Sequence, residues 1–281
     1  MDDSKFLITG ADGQLGKALQ QKYPNSQATT KDQFDITDTD AVKNYNWQNI
    51  EVIINAAGYT NVDVAETDEG RVAAWNVNAQ AVINLAKAAI EHGLTLIHIS
   101  TEYVFDGSKT PHKEDEPFSP LSVYAASKAG GDIAASFALK HYIVRTSWLI
   151  GEGKNFVRTM LELGRAGTAP KVVNDQIGRL TFTTELARAI YHLLSTNCQY
   201  GTYNVSNGGE PASWADIARI IFQEASLDVQ VTNTTTAEYL TSKPQTAKRP
   251  LNSTLDLSKI ESTGFKPTDW HDNLKEYLNS T

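Results

Sequence analysis

Lys5-Phe-Leu-Ile-Thr9, running straight into Gly10-Ala-Asp12-Gly13-Gln14-Leu15-Gly16, decides the fold of this chain. The first five residues read as a short, mostly apolar buried strand, and a helix-like segment runs behind the glycines to about Tyr23. A strand, a glycine turn and a helix open a dinucleotide-binding βαβ unit. The glycines permit a tight turn and close backbone approach, while the helix amino end faces a pyrophosphate. Gly10, Asp12, Gly13, Gln14, Leu15 and Gly16 are therefore candidate cofactor contacts.

Outward from this unit, strand-like and helix-like segments alternate, which predicts an α/β fold of the Rossmann type with a doubly wound parallel sheet. Strands are expected at Gln27–Thr29, Val52–Asn55, Thr95–Ser100 and Tyr142–Thr146, and one long helix from about Gly70 to His92. The segment 106–122, with three prolines and several charges, reads as a surface loop over the site. Beyond Ser147 the alternation loosens. Helices are expected at Phe156–Gly164, Thr183–Leu194 and Ser213–Glu224, the last capped by Ser213. The threonine-rich stretch 232–236 joins elements of this portion. The reading is thus a dinucleotide-binding domain over residues 1–147. Residues 148–281 form a smaller mixed α/β substrate lobe, with segments returning to the first domain.

Composition bounds the function. The chain has 281 residues, 41% of them hydrophobic, enough for one full core and a lobe. With 33 acidic against 25 basic residues and a net charge of -8, neither a nucleic acid nor an anionic membrane is the expected partner. A single cysteine, Cys198, excludes an intramolecular disulfide framework and suits a reducing compartment. The start, Met1-Asp2-Asp3-Ser4, lacks the features of a signal peptide, and no apolar run approaches a membrane span. A cytoplasmic location is expected.

Tyr124-Ala-Ala-Ser-Lys128 carries the chemistry. On a helix, residues four apart share one face. An ammonium beside a phenol favours the phenolate and lowers the tyrosine pKa from about 10, making it a usable proton donor. Thr101, at the end of the Thr95–Ser100 strand, supplies a hydroxyl to the same developing oxygen. An acid, a cation that tunes it and a hydroxyl donor are what reduction of a ketone by a nicotinamide requires, with Lys128 also placed to bond the nicotinamide ribose.

The G-x-x-G-x-x-G spacing with this Tyr/Lys pair is the form of the short-chain dehydrogenases/reductases, and narrower stretches refine the likeness. Phe34-Asp-Ile-Thr-Asp38, Ile54-Asn-Ala-Ala-Gly-Tyr-Thr-Asn-Val-Asp63, Asn76-Val-Asn78, Ser100-Thr-Glu-Tyr-Val-Phe-Asp-Gly107, Arg145-Thr-Ser-Trp148, Asn155-Phe-Val-Arg-Thr-Met160 and Lys248-Arg-Pro-Leu-Asn-Ser253 run nearly end to end. The chain resembles the dTDP-4-dehydrorhamnose reductases, extended members of that superfamily. The resemblance implies NADPH- or NADH-dependent reduction of the 4-keto group of dTDP-4-dehydro-6-deoxy-L-mannose to dTDP-L-rhamnose, with Tyr124 as proton donor. It implies a sugar pocket lined by Thr60, Val62, Thr101, Glu102, Tyr103, Tyr124 and Trp148. Asp35 and Ile36 would then flank the adenine. Asn55, Ala56 and Ala57 fall on the ribose and pyrophosphate side, where Tyr59, Asn78 and Lys128 complete the cofactor set. Arg249 is a candidate for a diphosphate oxygen, because guanidinium bonds phosphate bidentately.

Several positions depart from the family pattern. Glu102 replaces the usual aspartate, Leu180 stands where a proline precedes Thr181, and Asn204 replaces a common histidine. Some members dimerise through glutamates around magnesium. Ala18 stands at one such position and Glu185 at another, so no structural metal and a monomer are expected. Thr29-Thr30-Lys31-Asp32 closes the second strand with hydroxyls and a lysine before the acid, which favours NADPH, with NADH as the alternative. Two other function classes share the resemblance: another nucleotide-sugar ketoreductase or epimerase, and a non-catalytic regulatory subunit. The intact Thr101, Tyr124 and Lys128 set argues against the latter.

Overall fold

In the computed structural model, which describes residues 1–280, the strands are β1 (Phe6–Thr9), β2 (Gln27–Thr29), β3 (Val52–Asn55), β4 (Thr95–Thr101) and β5 (His141–Thr146). With a sixth strand, Gly201–Asn204, they form one sheet in the order β2-β1-β3-β4-β5-Gly201–Asn204, parallel throughout. Order reverses between β1 and β3, which opens a crevice at their carboxyl ends. Gly10, Ala56 and Ala57 lie there.

Alternate residues of each strand feed opposite faces, as the two-residue period of a strand requires. Phe6, Ile8, Ile54, Ile97 and Val144 join one apolar cluster; Leu7, Ile53, Leu96 and Ile143 join the other. Helices α1 (Gln14–Lys22) and α7 (Thr183–Ser195) cover the first face through Leu15, Leu19, Leu186, Ile190 and Leu193. The second face is covered by α2 (Thr39–Lys43), α4 (Ala81–His92) and α5 (Val123–Ser136), through Val42, Val82, Leu85 and Ala135. With both faces buried, the central strands are near-continuous apolar runs. Each fully buried aliphatic side chain contributes about 1.5–3 kcal/mol.

The helix expected over 70–92 is divided. Thr67 caps α3 (Asp68–Trp75), a π-helical turn spans Asn76–Gln80, and α4 follows to Gly93 in the left-handed conformation. The wider turn holds the Asn78 side chain inward. Its amide accepts from Tyr59 N at 2.8 Å and donates to Tyr59 O at 3.1 Å and to Ser127 Oγ at 3.0 Å. Such turns recur at functional sites because they re-aim one side chain without ending the helix.

Residues beyond 147 serve two cores. Tyr203, Val205, Leu255, Leu257, Ile260 and Phe265 join α7 against the sheet, whereas α6 (Phe156–Arg165) and α8 (Trp214–Glu224) pack with Val172, Leu180 and Trp270 in a separate cluster. Ser213 caps α8 by accepting from Asp216 N. Thr232–Thr234 is a strand, paired in parallel with Lys171–Val173.

The segment 106–122 is less free than its proline content suggests. His112 is completely buried, stacks on Phe105 at 4.8 Å and lies 2.9 Å from Glu116 Oε2. Its backbone donates to Thr254 O and accepts from Asp256 N, so the segment is pinned to the carboxyl-terminal portion. No helix among the described residues is long and apolar enough to cross a membrane.

Candidate active site

Gly10, at φ 73° after β1, has its Cα so close to the β3 exit that a Cβ would lie 2.7 Å from Ala57 N and Cα. A Cβ on Gly16 would meet Gly10 O at 2.1 Å. Only glycine permits this approach of backbone to backbone, and the cradle it leaves suits a pyrophosphate at the amino end of α1. Beside it, a cavity of about 330 Å³ is lined by Asp12, Lys31, Asp35, Ile36, Ala56 and Ala57 among others. Asp35 Oδ1 accepts from Thr37 N at 2.9 Å and Thr37 Oγ1 at 2.6 Å, which holds its carboxyl below the usual range. Its apolar wall at Ile36, Ala56 and Ala57 and its charged edge at Lys31 and Asp35 suit an aromatic base.

The cavity continues past Tyr59 into a cleft of about 400 Å³, where the expected sugar-pocket residues converge. Thr60, Val62, Thr101, Glu102, Tyr103, Tyr124, Lys128 and Trp148 all line it, together with Gln14, Leu15 and Trp214. Ser122 caps α5 by accepting from Ala125 N, and the helix carries Tyr124 and Lys128 on its cleft-facing side. Tyr103 packs edge-to-face against Tyr124, with centroids 6.0 Å apart.

Three expectations meet a different arrangement. Asn55, expected on the ribose and pyrophosphate side, lines neither the cleft nor the cavity beside it. Fully buried, it accepts from Thr9 Oγ1 at 2.8 Å and lies 3.2 Å from His98 Nδ1, fixing β1, β3 and β4 behind the site. Asn78 is likewise buried behind Tyr59. The tuning of Tyr124 by Lys128 is also not the dominant effect. Burial, then the charges of Glu102 and Tyr103, push the phenol up, and the Thr101 hydroxyl pulls it down. Burial pushes Lys128 down to about 8, and its Nζ donates to Ile99 O at 2.6 Å.

Behind Lys128 stands a buried charge network that no sequence motif announced. Asp132, one turn further along α5, accepts from Arg145 Nε at 2.9 Å and lies 3.9 Å from His98 Nε2. Arg145 also donates to Glu114 O at 2.9 Å and sits over the Phe105 and Phe118 rings. Burial raises Asp132, and both burial and the Lys128 charge hold His98 well below its ordinary value, hence neutral. The Asp132 charge favours the charged form of Lys128.

Trp148 closes the cleft in an unusual conformation, at φ 41°, held by a 3.7 Å stack on Trp214 and by Gly178, where a Cβ would come within 2.9 Å of the indole. Beyond Tyr103 and Trp214 opens a third cavity, of about 580 Å³, lined by Phe156, Met160, Pro170, Lys171, Tyr239 and Lys243 among others. Arg249 lies on the same wall. It pairs with Asp63 at 2.9 Å, donates to Ala247 O at 3.0 Å and reaches the Tyr103 phenol. Composition gave no means of finding this cavity, because its walls come from separate segments. Glu185 is bidentate on Arg188 and accepts from Thr268, and no cluster of three or more His, Cys, Asp or Glu is placed to hold a metal among the described residues.

Residues 4–281 match the family model described as RmlD substrate binding domain. The chain belongs to this family. A family relative from Aggregatibacter actinomycetemcomitans, named dTDP-4-dehydrorhamnose reductase, is 40% identical over 294 aligned positions that cover 97% of both chains. Two solved family structures superpose closely. A dTDP-4-dehydrorhamnose reductase from Clostridium acetobutylicum has a TM-score of 0.90 at 40% identity, covering 98% of each chain. The Bacillus anthracis reductase in complex with NADP has a TM-score of 0.89 at 36% identity, again covering 98% of each chain.

Proposed function

We propose that this chain reduces the 4-keto group of dTDP-4-dehydro-6-deoxy-L-mannose to a hydroxyl, giving dTDP-L-rhamnose, with NADPH as reductant. The observation that carries the reading is the convergence of Thr101, Tyr124 and Lys128 in one cleft that joins the glycine cradle on one side and the Arg249 cavity on the other. Full-length likeness to reductases of this family, one of them solved with NADP, supports the substrate and the cofactor.

The cofactor supplies a hydride to the sugar carbonyl carbon. Gly10, Gly13 and Gly16 would admit its pyrophosphate, Asp35 and Ile36 would border its adenine, and Lys31, exposed at the cavity edge, would hold the extra phosphate of NADPH. As the carbonyl carbon is attacked, charge develops on its oxygen. Tyr124 gives that oxygen a proton, and the Thr101 hydroxyl stabilises the developing alkoxide. Lys128, whose ammonium has donors beyond the one on Ile99 O, would bond the nicotinamide ribose and offers a cation beside the phenolate that remains. The sugar lies between Thr60, Val62 and the Trp148–Trp214 stack. Arg249 binds the diphosphate, and the nucleoside occupies the third cavity between Phe156 and Tyr239.

The test is Tyr124→Phe, followed by loss of reduced-nicotinamide absorbance with the ketosugar nucleotide. The ring and its contact with Tyr103 stay, and only the hydroxyl is lost. Turnover is expected to fall by about 10²–10⁴-fold, with cofactor affinity nearly unchanged. Near-normal turnover sinks the assignment of the proton donor.

A further inference from the structure

We propose that Gln176 selects the nucleobase, its Oε1 accepting from the N3–H of a pyrimidine-2,4-dione, thymine or uracil, in the third cavity. The inference rests on the placement of the nucleoside in that cavity and names the group that reads its base.

Gln176 leads into the two-residue strand Ile177–Gly178, which pairs antiparallel with Ala212–Ser213, the residues just before Trp214. That register carries Gln176 alongside Trp214. The residue is only 7% exposed and lines the cavity. Its Nε2 donates at 3.1 Å to Thr236 Oγ1, at the start of α9 (Thr236–Ser242). One turn further along α9, Tyr239 forms an aromatic wall of the same cavity; the other wall, Phe156, packs on Trp214 with centroids 4.4 Å apart. Gln176 is therefore tied to both elements that enclose a base held between Phe156 and Tyr239.

The oxygen and nitrogen of an amide are told apart by their partners. A carboxylate only accepts, and Asp175 takes hydrogen bonds from Thr236 N at 2.9 Å and from Thr236 Oγ1 at 2.7 Å. With its one proton committed to Asp175, the Thr236 hydroxyl accepts from Gln176, so the atom facing it is Nε2. Oε1 is left for the cavity. Among the described residues none donates to Oε1, and this oxygen is not sealed from solvent. A carboxamide oxygen on so buried a side chain calls for a donor from whatever fills the cavity.

Among the described residues, the charged side chains lining the cavity are Lys171, Lys243 and Arg249, which donate and do not accept. A pyrimidine-2,4-dione carries O2, N3–H and O4 in a row along one edge. Its two carbonyl oxygens suit a cavity rich in donors, and its N3–H is the one donor on that edge, which Oε1 takes. Cytosine in the same position turns the N3 lone pair toward Oε1, so two acceptors face each other. The amide cannot turn over to meet it, because the Asp175–Thr236–Gln176 chain holds Nε2 on the Thr236 side. Arg249 on the diphosphate and the aromatic walls keep the base from sliding to another register.

Equilibrium binding of dTDP, UDP, CDP and N3-methyl-dTDP, followed by tryptophan fluorescence, tests it without cofactor or turnover. Wild-type protein is expected to bind dTDP and UDP about 10–100-fold more tightly than CDP or N3-methyl-dTDP, the range for a buried polar group left without its partner. Gln176→Leu should bring CDP to within about threefold of dTDP, because neither base then meets an acceptor. Thr236→Val removes the group that fixes the amide and leaves Gln176 in place, so the freed amide can turn over and CDP should bind more tightly than to wild type. Equal binding of dTDP and CDP by wild type, or a Gln176→Leu variant that weakens dTDP, UDP and CDP alike, overturns the proposal. Binding of none of the nucleoside diphosphates removes the nucleoside from this cavity and the proposal with it, an outcome distinct from binding without selectivity. If Gln176→Leu does not fold, N3-methyl-dTDP on wild type and CDP on Thr236→Val decide it.

Discussion

Asp132→Asn removes the one carboxylate facing Arg145 in the buried network. Both partners are almost wholly out of water, at 1% and 4% exposure. Asparagine keeps the shape and can still accept from Arg145 Nε, but the opposing charge disappears. Arg145 is then a buried cation compensated only by Glu114 O and two aromatic faces. Breaking a buried pair in this way costs roughly 3–5 kcal/mol, a large part of the roughly 5–15 kcal/mol that stabilises a folded protein. At about 2–4 °C per kcal/mol for a chain of this size class, the melting temperature should fall by roughly 6–20 °C. Differential scanning fluorimetry and urea titration measure it. Replacing both partners, as Asp132→Asn with Arg145→Met, should recover part of the loss, because no uncompensated charge remains. The change also reaches the cleft. The Asp132 charge raises Lys128 against burial, so without it Lys128 lies further below its present value of about 8. A lysine lowered in the folded state binds fewer protons there than when unfolded, so stability rises with pH between about 8 and 10.5. In the variant that rise should begin at lower pH. A melting temperature within about 3 °C of wild type, with an unchanged pH dependence, would refute the reasoning.

Gly16→Ala places a Cβ 2.1 Å from Gly10 O and 2.8 Å from Ala11 Cα, both backbone atoms that move only with the turn itself. Cofactor affinity, read by quenching of tryptophan fluorescence, should fall at least about tenfold, since the turn can no longer approach a pyrophosphate closely; unchanged affinity would remove the cradle from the cofactor site. Arg249→Ala should raise KM for the ketosugar nucleotide about 10–150-fold, the equivalent of one charge-assisted phosphate contact of about 1.5–3 kcal/mol, and leave kcat within about threefold. An unaltered KM would leave Arg249 as the partner of Asp63 alone.

Legibility in the sequence followed the distance over which each feature is determined. The β1–glycine–α1 unit is local, and Gly10 at φ 73° and the Gly16 approach to Gly10 O are what its spacing demands. The Tyr124/Lys128 pair is local as well, because an Ser122-capped helix fixes their common face. The division of the 70–92 helix was not legible. Asn76–Gln80 is a helical sequence, and the π turn depends on Asn78 reaching Tyr59 and Ser127, groups supplied by other elements. For the same reason 106–122 read as a surface loop, although His112 finds its partners in Asn252 and Thr254 at the far end of the chain.

By itself the sequence determined the parallel α/β architecture, the glycine turn after β1 and the shared helical face of Tyr124 and Lys128. Each follows from periodicity, backbone permissiveness or helical spacing within a few residues. Only the tertiary structure decided the electrostatics and the third cavity. Burial rather than Lys128 governs the Tyr124 phenol, and burial pushes the Glu102 carboxyl up to about 7. Desolvation depends on everything that surrounds a group, and the Trp148–Trp214 stack and the cavity behind Arg249 are assembled from segments that meet only when the chain is folded.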